Sequence, residues 1–226
     1  MLYVLVEGNT EDRFVKTLLG PHLHERGVWA VPIEVTTKKN PLTGEKLARG
    51  GGQWKHWRRD ILSVLAGKPA GDRVTSLFDL YGLPKDFPAL DAGKAERDTS
   101  KRAQMLEEAM AAEIGDRRFI PYVQRHEFEA LVLAGIDHLA EILIDPAWKA
   151  GIAALRAELG TTQPEEVNDG KETAPSKRLL AHVPGYNKTT HGPLVTSKVG
   201  VEGLKQRCPR FGAWLAKLEA LGEKGS

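Results

Sequence analysis

The sequence has little of what marks secreted and membrane proteins. Its 226 residues include one cysteine, Cys208, so no internal disulfide can form and no thiolate cluster can bind zinc. No stretch approaches the roughly 20 consecutive apolar residues that span a bilayer. The apolar run at the N-terminus has no basic region before it and soon meets a charge at Glu7, unlike a secretory signal. We therefore expect a cytoplasmic location.

An excess of one charge is also missing. The chain has 32 Lys and Arg residues against 30 Asp and Glu residues, which gives a net charge of +2. Such a balance does not by itself indicate nucleic-acid binding, so binding of that kind would depend on local basic patches. The hydrophobic share of 41% is that of an ordinary globular domain and excludes a disordered chain.

The first 134 residues alternate between short apolar runs and segments of helical spacing. We predict strands at four runs: Leu2–Val6, Val28–Val35, Val74–Leu80 and Phe119–Val123. Helical spacing occurs between and after them, at Trp54–Leu65, Ala103–Ile114 and His126–Leu133. This alternation is typical of βαβ units and predicts a mostly parallel four-stranded sheet flanked by helices.

The pattern changes after residue 134. We predict only helices in this part, at Leu139–Leu143, Ala147–Leu159, Lys177–Val183 and Phe211–Leu221. The polar segments Asn168–Pro175 and Pro184–Pro193 are predicted to be loops, because Gly and Pro interrupt them. We therefore expect an α/β core over residues 1–134 and a helical C-terminal part over residues 135–226, packed on that core.

Acidic residues stand at the ends of three of the four predicted strands. Glu7 follows the first strand, Asp79 lies in the third, and Glu127 and Glu129 follow the fourth; Glu11 comes four residues after Glu7. Ligands of open parallel sheets bind beyond the carboxyl ends of the strands, so these side chains are expected to converge. Hard oxygen ligands suit Mg²⁺ or Mn²⁺, and such ions promote phosphoryl chemistry.

Each of these acids also has a plainer explanation. Glu11 would complement a helix dipole. Asp79 would belong to a turn, and Glu127 and Glu129 would be ordinary acids of a first helical turn. Their coincidence at three strand ends favours a common site.

Basic residues beside predicted helix starts are candidates for substrate binding. Lys177, Arg178, Lys188 and His191 lie in or next to polar segments, where helix N-terminal N–H groups also favour phosphate. The alternative is helix capping by Ser176 with the charges simply exposed.

Three other features allow two interpretations each. His126, a further candidate for substrate binding, is either a proton carrier or metal ligand, or a capping or packing residue. Trp54 and Trp57 either stack bases or are buried by their helix, and their spacing favours burial. Lys38–Lys39, near Gly50–Gly52, are either a phosphate clamp or a solvated turn; the glycines lack the residue order of a P-loop.

Five segments resemble, in order, the conserved blocks of a bacterial family called domain of unknown function 4276. They are Val6–Glu11, Asp79–Pro84, His126–Leu131, Glu172–Leu179 and Cys208–Phe211. That family is regarded as Toprim-like, akin to the nuclease domains of overcoming-lysogenization-defect proteins. Its members are often thought to act in phage defence alongside an ATPase. The resemblance thus implies a Toprim-like fold and a nuclease that uses Mg²⁺ or Mn²⁺ to cut DNA or RNA.

The resemblance also implies roles for the acidic residues. Glu7 matches the leading glutamate of the Toprim pattern, a metal ligand or general acid/base. Glu11 matches a second glutamate that is also a ligand, and Asp79 matches the first aspartate of an Asp-x-Asp pair. Glu127 or Glu129 would supply the third acidic block, with Glu129 completing the metal ligands.

Tyr81 stands where that pattern has its second aspartate, and a phenol is a poor Mg²⁺ ligand. Asp86 is a candidate replacement. The substitution leaves open one metal instead of two, or altered chemistry. It also leaves open a non-catalytic regulatory or adaptor subunit that binds an ATPase partner through the helical C-terminal part. Phosphotransfer on a small substrate is a third alternative. A homo-oligomer is left open too.

Overall fold

The apolar runs pair into one parallel sheet. A computed structural model describes residues 1–35, 38–39, 46–48, 52–167, 170 and 173–223. Its strands are β1 (Leu2–Val6), β2 (Ala30–Glu34), β3 (Lys38–Lys39), β4 (Lys46–Ala48), β5 (Arg73–Asp79), β6 (Phe119–Ile120) and β7 (Val123–Gln124). The order across the sheet is β2-β1-β5-β6, with β7 also paired to β5, and every pairing in it is parallel. The predicted parallel sheet is confirmed, and β3 and β4 form a separate antiparallel pair.

Helices cover both faces of the sheet. The N-terminal helices are α1 (Asn9–Phe14), a π-helical segment (Val15–Leu19), α2 (Gly20–His24), α3 (Trp54–Ala66), α4 (Leu90–Ala95) and α5 (Thr99–Ile114). The later ones are α6 (Glu129–Leu133), α7 (Ile136–Ile142), α8 (Pro146–Leu159), a 3-10 turn (Pro164–Glu166), α9 (Pro175–His182), α10 (Lys188–Arg207) and α11 (Pro209–Glu223). No helix in the described part of the chain is long and apolar enough to cross a membrane.

Alternate residues of β1 point into two separate cores. Leu2, Val4 and Val6 pack with the C-terminal helices, whereas Leu5 packs with α3 and α5. This division follows from the two-residue period of a strand. Buried residues of α11, such as Trp214, belong to the same core as Leu2, so the C-terminal helices pack directly on the sheet. The boundary at residue 134 stays a prediction.

The fourth strand differs from its prediction. Phe119–Val123 was expected as one strand, but Pro121 separates β6 from β7 because proline has no N–H for the ladder. The side chain of Ser76 bridges the gap. Its hydroxyl donates to the carbonyl of Tyr122 at 2.9 Å and accepts from the N–H of Tyr122 at 2.9 Å.

Two helix starts also differ from their predictions. The helix expected at His126 begins at Glu129, because His126 has a left-handed backbone conformation with φ of 66°. The loop expected at Pro184–Pro193 becomes helical at Lys188. Proline inside a helix leaves the carbonyl four residues earlier without its donor. Here the Arg13 guanidinium donates to that carbonyl, on Thr189, at 3.1 Å.

Candidate acidic site at the carboxyl edge of the sheet

Four acidic side chains meet at the carboxyl edge of the sheet. Glu7 directly follows β1, and Asp79 ends the neighbouring β5, whose register pairs Val6 with Leu77. Glu11 lies in α1 and Glu129 is the first residue of α6. The parallel pairing therefore brings together residues far apart in sequence, as the strand ends predicted.

Lys188, the first residue of α10, inserts its ammonium among these carboxylates. The Nζ atom lies 3.2 Å from Asp79 Oδ2, 3.2 Å from Glu129 Oε2 and 3.5 Å from Glu11 Oε1. The Glu129 and Glu11 side chains are only 1% and 6% exposed, whereas Lys188 is 36% exposed. The carboxylates are thus removed from water, and the lysine enters from the surface.

Glu7 is held by the turn that follows β5. Its Oε1 atom accepts the backbone N–H of Asp79 at 2.6 Å. A Cβ atom added at Gly82 would lie 2.5 Å from Glu7 Oε2, closer than real contacts allow. A side chain at position 82 would therefore displace this carboxylate.

Burial and mutual repulsion raise the pKa values of the acids. Burial, followed by the charge of Asp79, raises the pKa of Glu7 well above its ordinary value. The same two causes raise the pKa of Glu11 to about 7. Burial also raises the pKa of Glu129 to about 7, although Lys188 opposes it. Burial alone would lower the pKa of Lys188, but Asp79, Glu129 and Glu11 outweigh it and raise that pKa.

The donor set suits a hard divalent cation, and buried oxygen atoms support such a ligand. Among the described residues, Asp79 Oδ1 and the hydroxyl of Tyr186 are buried without a hydrogen-bond partner. Buried polar groups normally have one. Tyr186 is only 7% exposed, and its pKa is raised by burial and then by the nearby Glu129 charge. The sequence placed Tyr186 in the polar segment with Lys188 and His191, a candidate for substrate binding, but gave the phenol no role of its own.

The spacing of the carboxylates argues the other way. In the described part of the chain, the only three His, Cys, Asp or Glu residues whose ligand atoms all lie within 4.8 Å of one another are His22, Glu202 and Glu219. Around Lys188 the ammonium itself lies where a cation would lie. A divalent ion would require Lys188 to withdraw or the carboxylates to approach each other.

Glu127 faces a different partner from Glu129. Its Oε1 atom accepts the hydroxyl of Ser176 at 3.0 Å and the Ser176 N–H at 3.3 Å, at the start of α9. Burial raises its pKa, as does the charge of Asp79, which places Glu127 beside the cluster. In the same helix Lys177 is exposed, while Arg178 pairs with Glu158 and donates to the Thr173 carbonyl at 3.0 Å.

The two candidate histidines have local partners. His191 Nδ1 accepts the N–H of Asn187 at 2.9 Å, and burial lowers the pKa of His191. His126 is 1% exposed, and its Nδ1 atom lies 3.2 Å from the hydroxyl of Tyr81. Tyr81 therefore turns towards His126, at the edge of the acidic cluster.

Other candidates have structural roles. Trp54 and Trp57 are 5% and 0% exposed and pack against Phe87 and Phe78, so their rings are not a stacking surface. Asp86 accepts the Trp54 N–H at 2.9 Å and caps α3 instead of replacing the second aspartate.

Cys208 is a buried thiol, as its apolar neighbours predict. The side chains of Lys38–Lys39, residues 50–51 and Glu172 lie outside the described residues.

The comparisons with known proteins agree with the segments quoted from the sequence. A family model described as Domain of unknown function (DUF4276) matches residues 6–219. The chain belongs to this family. No curated protein and no solved structure matches it. All five DUF4276-like segments lie within the match, and the acidic cluster, Lys188 and Tyr186 are included.

Proposed function

We propose that this DUF4276 protein is a divalent-metal-dependent nuclease with a Toprim-like site. The observation that supports it is the convergence of Glu7, Glu11, Asp79 and Glu129 at the carboxyl edge of a parallel sheet, where Glu11 and Glu129 are buried and the other two are partly buried. Among the described residues, Lys188 is the only cation within salt-bridge distance of these acids, and it reaches three of the four: Glu11, Asp79 and Glu129. Excess buried negative charge is costly unless a cation or protons compensate it.

The four carboxylates would hold Mg²⁺ or Mn²⁺, which supplies charge neutralisation at a phosphodiester. Lys188 is exposed enough to turn from the carboxylates to a phosphate oxygen. Glu11 and Glu129, with pKa values of about 7, can accept or release a proton at neutral pH, which suits general acid/base catalysis. The exposed Lys177 near Glu127 would contact the nucleic-acid backbone outside the centre.

Titration calorimetry with Mg²⁺ and Mn²⁺ tests this function. Wild type is expected to bind, and a folded Glu7→Gln/Asp79→Asn variant is expected to lose binding because two ligands become neutral. The matched control is Glu25→Gln/Asp91→Asn, which neutralises two exposed acids outside the site. Equal binding by wild type and the site variant, or no binding by wild type, would reject the metal centre.

Cleavage assays then identify the substrate. Supercoiled DNA, single-stranded DNA and RNA would be incubated with wild type and both double variants in Mn²⁺. Cleavage by wild type and the control, but not by the site variant, is expected. A metal-binding protein that leaves all three polymers intact would instead favour phosphotransfer on a small substrate.

A non-catalytic adaptor for an ATPase is the second candidate. It is favoured by Tyr81 in place of a ligand and by the ammonium of Lys188 at the centre of the carboxylates. This candidate requires a stable complex with an ATPase and no affinity for divalent ions. Co-purification with an ATPase encoded beside this chain, followed by the same calorimetry on the complex, separates the two functions.

A further inference from the structure

The segments that carry the acids are joined beyond the end of the sheet. The ladder between β5 and β7 ends with Asp79 opposite Gln124. Two further hydrogen bonds continue it: the Leu80 N–H donates to the Gln124 carbonyl, and the Tyr81 N–H donates to the His126 carbonyl, both at 3.0 Å. Position 81 is therefore fixed against position 126 by the backbone.

The side chains of the same two residues form a second connection. The Tyr81 hydroxyl lies 3.2 Å from His126 Nδ1, and the two rings are tilted with centroids 5.6 Å apart. The His126 ring is buried, while Tyr81 is 45% exposed at the rim. A main-chain bond and a side-chain bond between the same two residues limit both sliding and rotation of the two segments.

His126, one of the two connected residues, has an uncommon backbone conformation. Its φ of 66° is unfavourable for a residue with a Cβ atom, and such residues concentrate at functional sites. Glu127 and Glu129 follow within three residues, and Glu129 reaches Lys188 from the first position of α6. The direction in which the chain leaves position 126 thus decides where these carboxylates lie.

We propose that Tyr81 and His126 form a clasp that positions Asp79 against Glu129. Tyr81 and His126 are then positioning residues and bind no metal themselves. Tyr81, which the resemblance aligns with an aspartate of the Toprim pattern, supplies a rigid connection between the segments that carry the proposed ligands. The effect on metal affinity rests on the proposed function, whereas the connection itself does not.

A double-mutant cycle with Tyr81→Phe and His126→Asn tests the clasp. Phenylalanine removes only the hydroxyl, and asparagine tolerates a left-handed backbone. Each single variant is expected to bind Mn²⁺ about tenfold more weakly, the lower range for residues that orient ligands. The double variant should bind no more weakly than the worse single variant, because both changes break one connection. Tyr3→Phe and His24→Asn are the controls, because within the described part of the chain no ion pair or hydrogen bond links either side chain to the site.

Nuclear magnetic resonance distinguishes failure of the clasp from failure of the nuclease. Tyr81→Phe should move the ¹⁵N resonance of His126 Nδ1 and the carboxyl ¹³C resonance of Glu129, and Tyr3→Phe should move neither. Both shifts are measured without metal, so they decide the clasp even if wild type binds no divalent ion. Unmoved resonances, or unchanged Mn²⁺ affinity in a folded Tyr81→Phe variant of a metal-binding wild type, would overturn the proposal. Additive losses in the cycle would overturn it as well.

Discussion

Two clusters of acidic and basic side chains differ in burial and in charge balance. At the carboxyl edge of the sheet, Lys188 is the only cation among the described residues within salt-bridge distance of three carboxylates, two of them buried and that of Asp79 partly buried. In a second cluster, Glu219 of α11 lies 2.6 Å from Nε2 of His22 in α2 and 3.2 Å from Nζ of Lys205 in α10. It also lies 3.3 Å from Nε of Arg26, which follows α2. We name these the edge cluster and the outer cluster. The outer cluster has enough cations for its acids, and the edge cluster does not.

The pKa values follow this difference. Burial, then Asp79, raises the pKa of Glu11 in the edge cluster. Partial burial would raise the pKa of Glu219 too, but hydrogen bonds from His22 and Lys205 outweigh it and lower that pKa. With Glu202, the outer cluster has the closer ligand spacing, yet Lys205 already pairs with both Glu202 and Glu219. The two criteria therefore point to different clusters: ligand spacing points to the outer cluster, and excess buried negative charge points to the edge cluster.

Removing the lysine of each cluster should give the largest contrast. Lys188→Met leaves several carboxylates without their cation. We expect it to lower the free energy of unfolding by about 2–4 kcal/mol. This range lies slightly below that for fully buried pairs, because Lys188 is partly exposed. Lys205→Met should cost less than about 1 kcal/mol, as for surface pairs. Urea unfolding at pH 8 measures both. Similar losses in the two variants would remove the distinction between the clusters.

Packing at Gly82 tests how rigidly the edge cluster is built. Gly82→Ala adds a Cβ atom that would lie 2.5 Å from Glu7 Oε2. The Glu7 carboxylate must therefore move. Such overpacking is expected to cost about 2 kcal/mol. Gly71→Ala is the matched control, since no atom lies within 4 Å of its added Cβ. If Gly82→Ala unfolds at the same urea concentration as Gly71→Ala, Glu7 is not confined by this turn.

The contrast between the clusters also shows which features the sequence could predict. Apolar runs and the acids at their ends are local signals, so the parallel sheet and the meeting of Glu7, Asp79 and Glu129 were predictable. The position of Lys188 at this edge was not predictable, because Pro193 made the start of α10 look like a loop in the sequence. The Arg13 guanidinium donates to the Thr189 carbonyl that Pro193 leaves without a donor, and these two residues lie 176 positions apart in the sequence.

The same limit applies to the turn after β7. A left-handed conformation is read from sequence mainly through glycine; histidine adopts it more often than most residues, but too rarely for His126 to predict it. Glu127 and Glu129 were therefore equivalent in the sequence. The structure directs Glu129 to Lys188 and Glu127 to Ser176.

The smallest predicted effect is the pH dependence of stability. Raising the pH should weaken the contribution of Glu11 in the edge cluster, and lowering the pH should weaken that of Glu219 in the outer cluster. The pKa of Glu11 rises from 4.5 to about 7 on folding, so the folded state binds more protons than the unfolded state between these values. Its contribution to the free energy of unfolding is therefore full below pH 4.5 and declines as the pH rises to 7. Glu219 has a lowered pKa, so its contribution is lost only as the pH falls below 4.5.

Urea unfolding of wild type, Glu11→Gln and Glu219→Gln at pH 5 and pH 8 tests these signs. Between pH 5 and pH 8 the free energy of unfolding of wild type should fall by on the order of 1–2 kcal/mol more than that of Glu11→Gln. This is less than the full shift would give at about 1.36 kcal/mol per pKa unit, because the acids of the edge cluster titrate together. Glu219→Gln should keep the wild-type slope over this range, since Glu219 is already ionised at pH 5. A Glu11→Gln slope equal to that of wild type would mean that Glu11 gains no proton affinity on folding, and the charge excess assigned to the edge cluster would then be wrong.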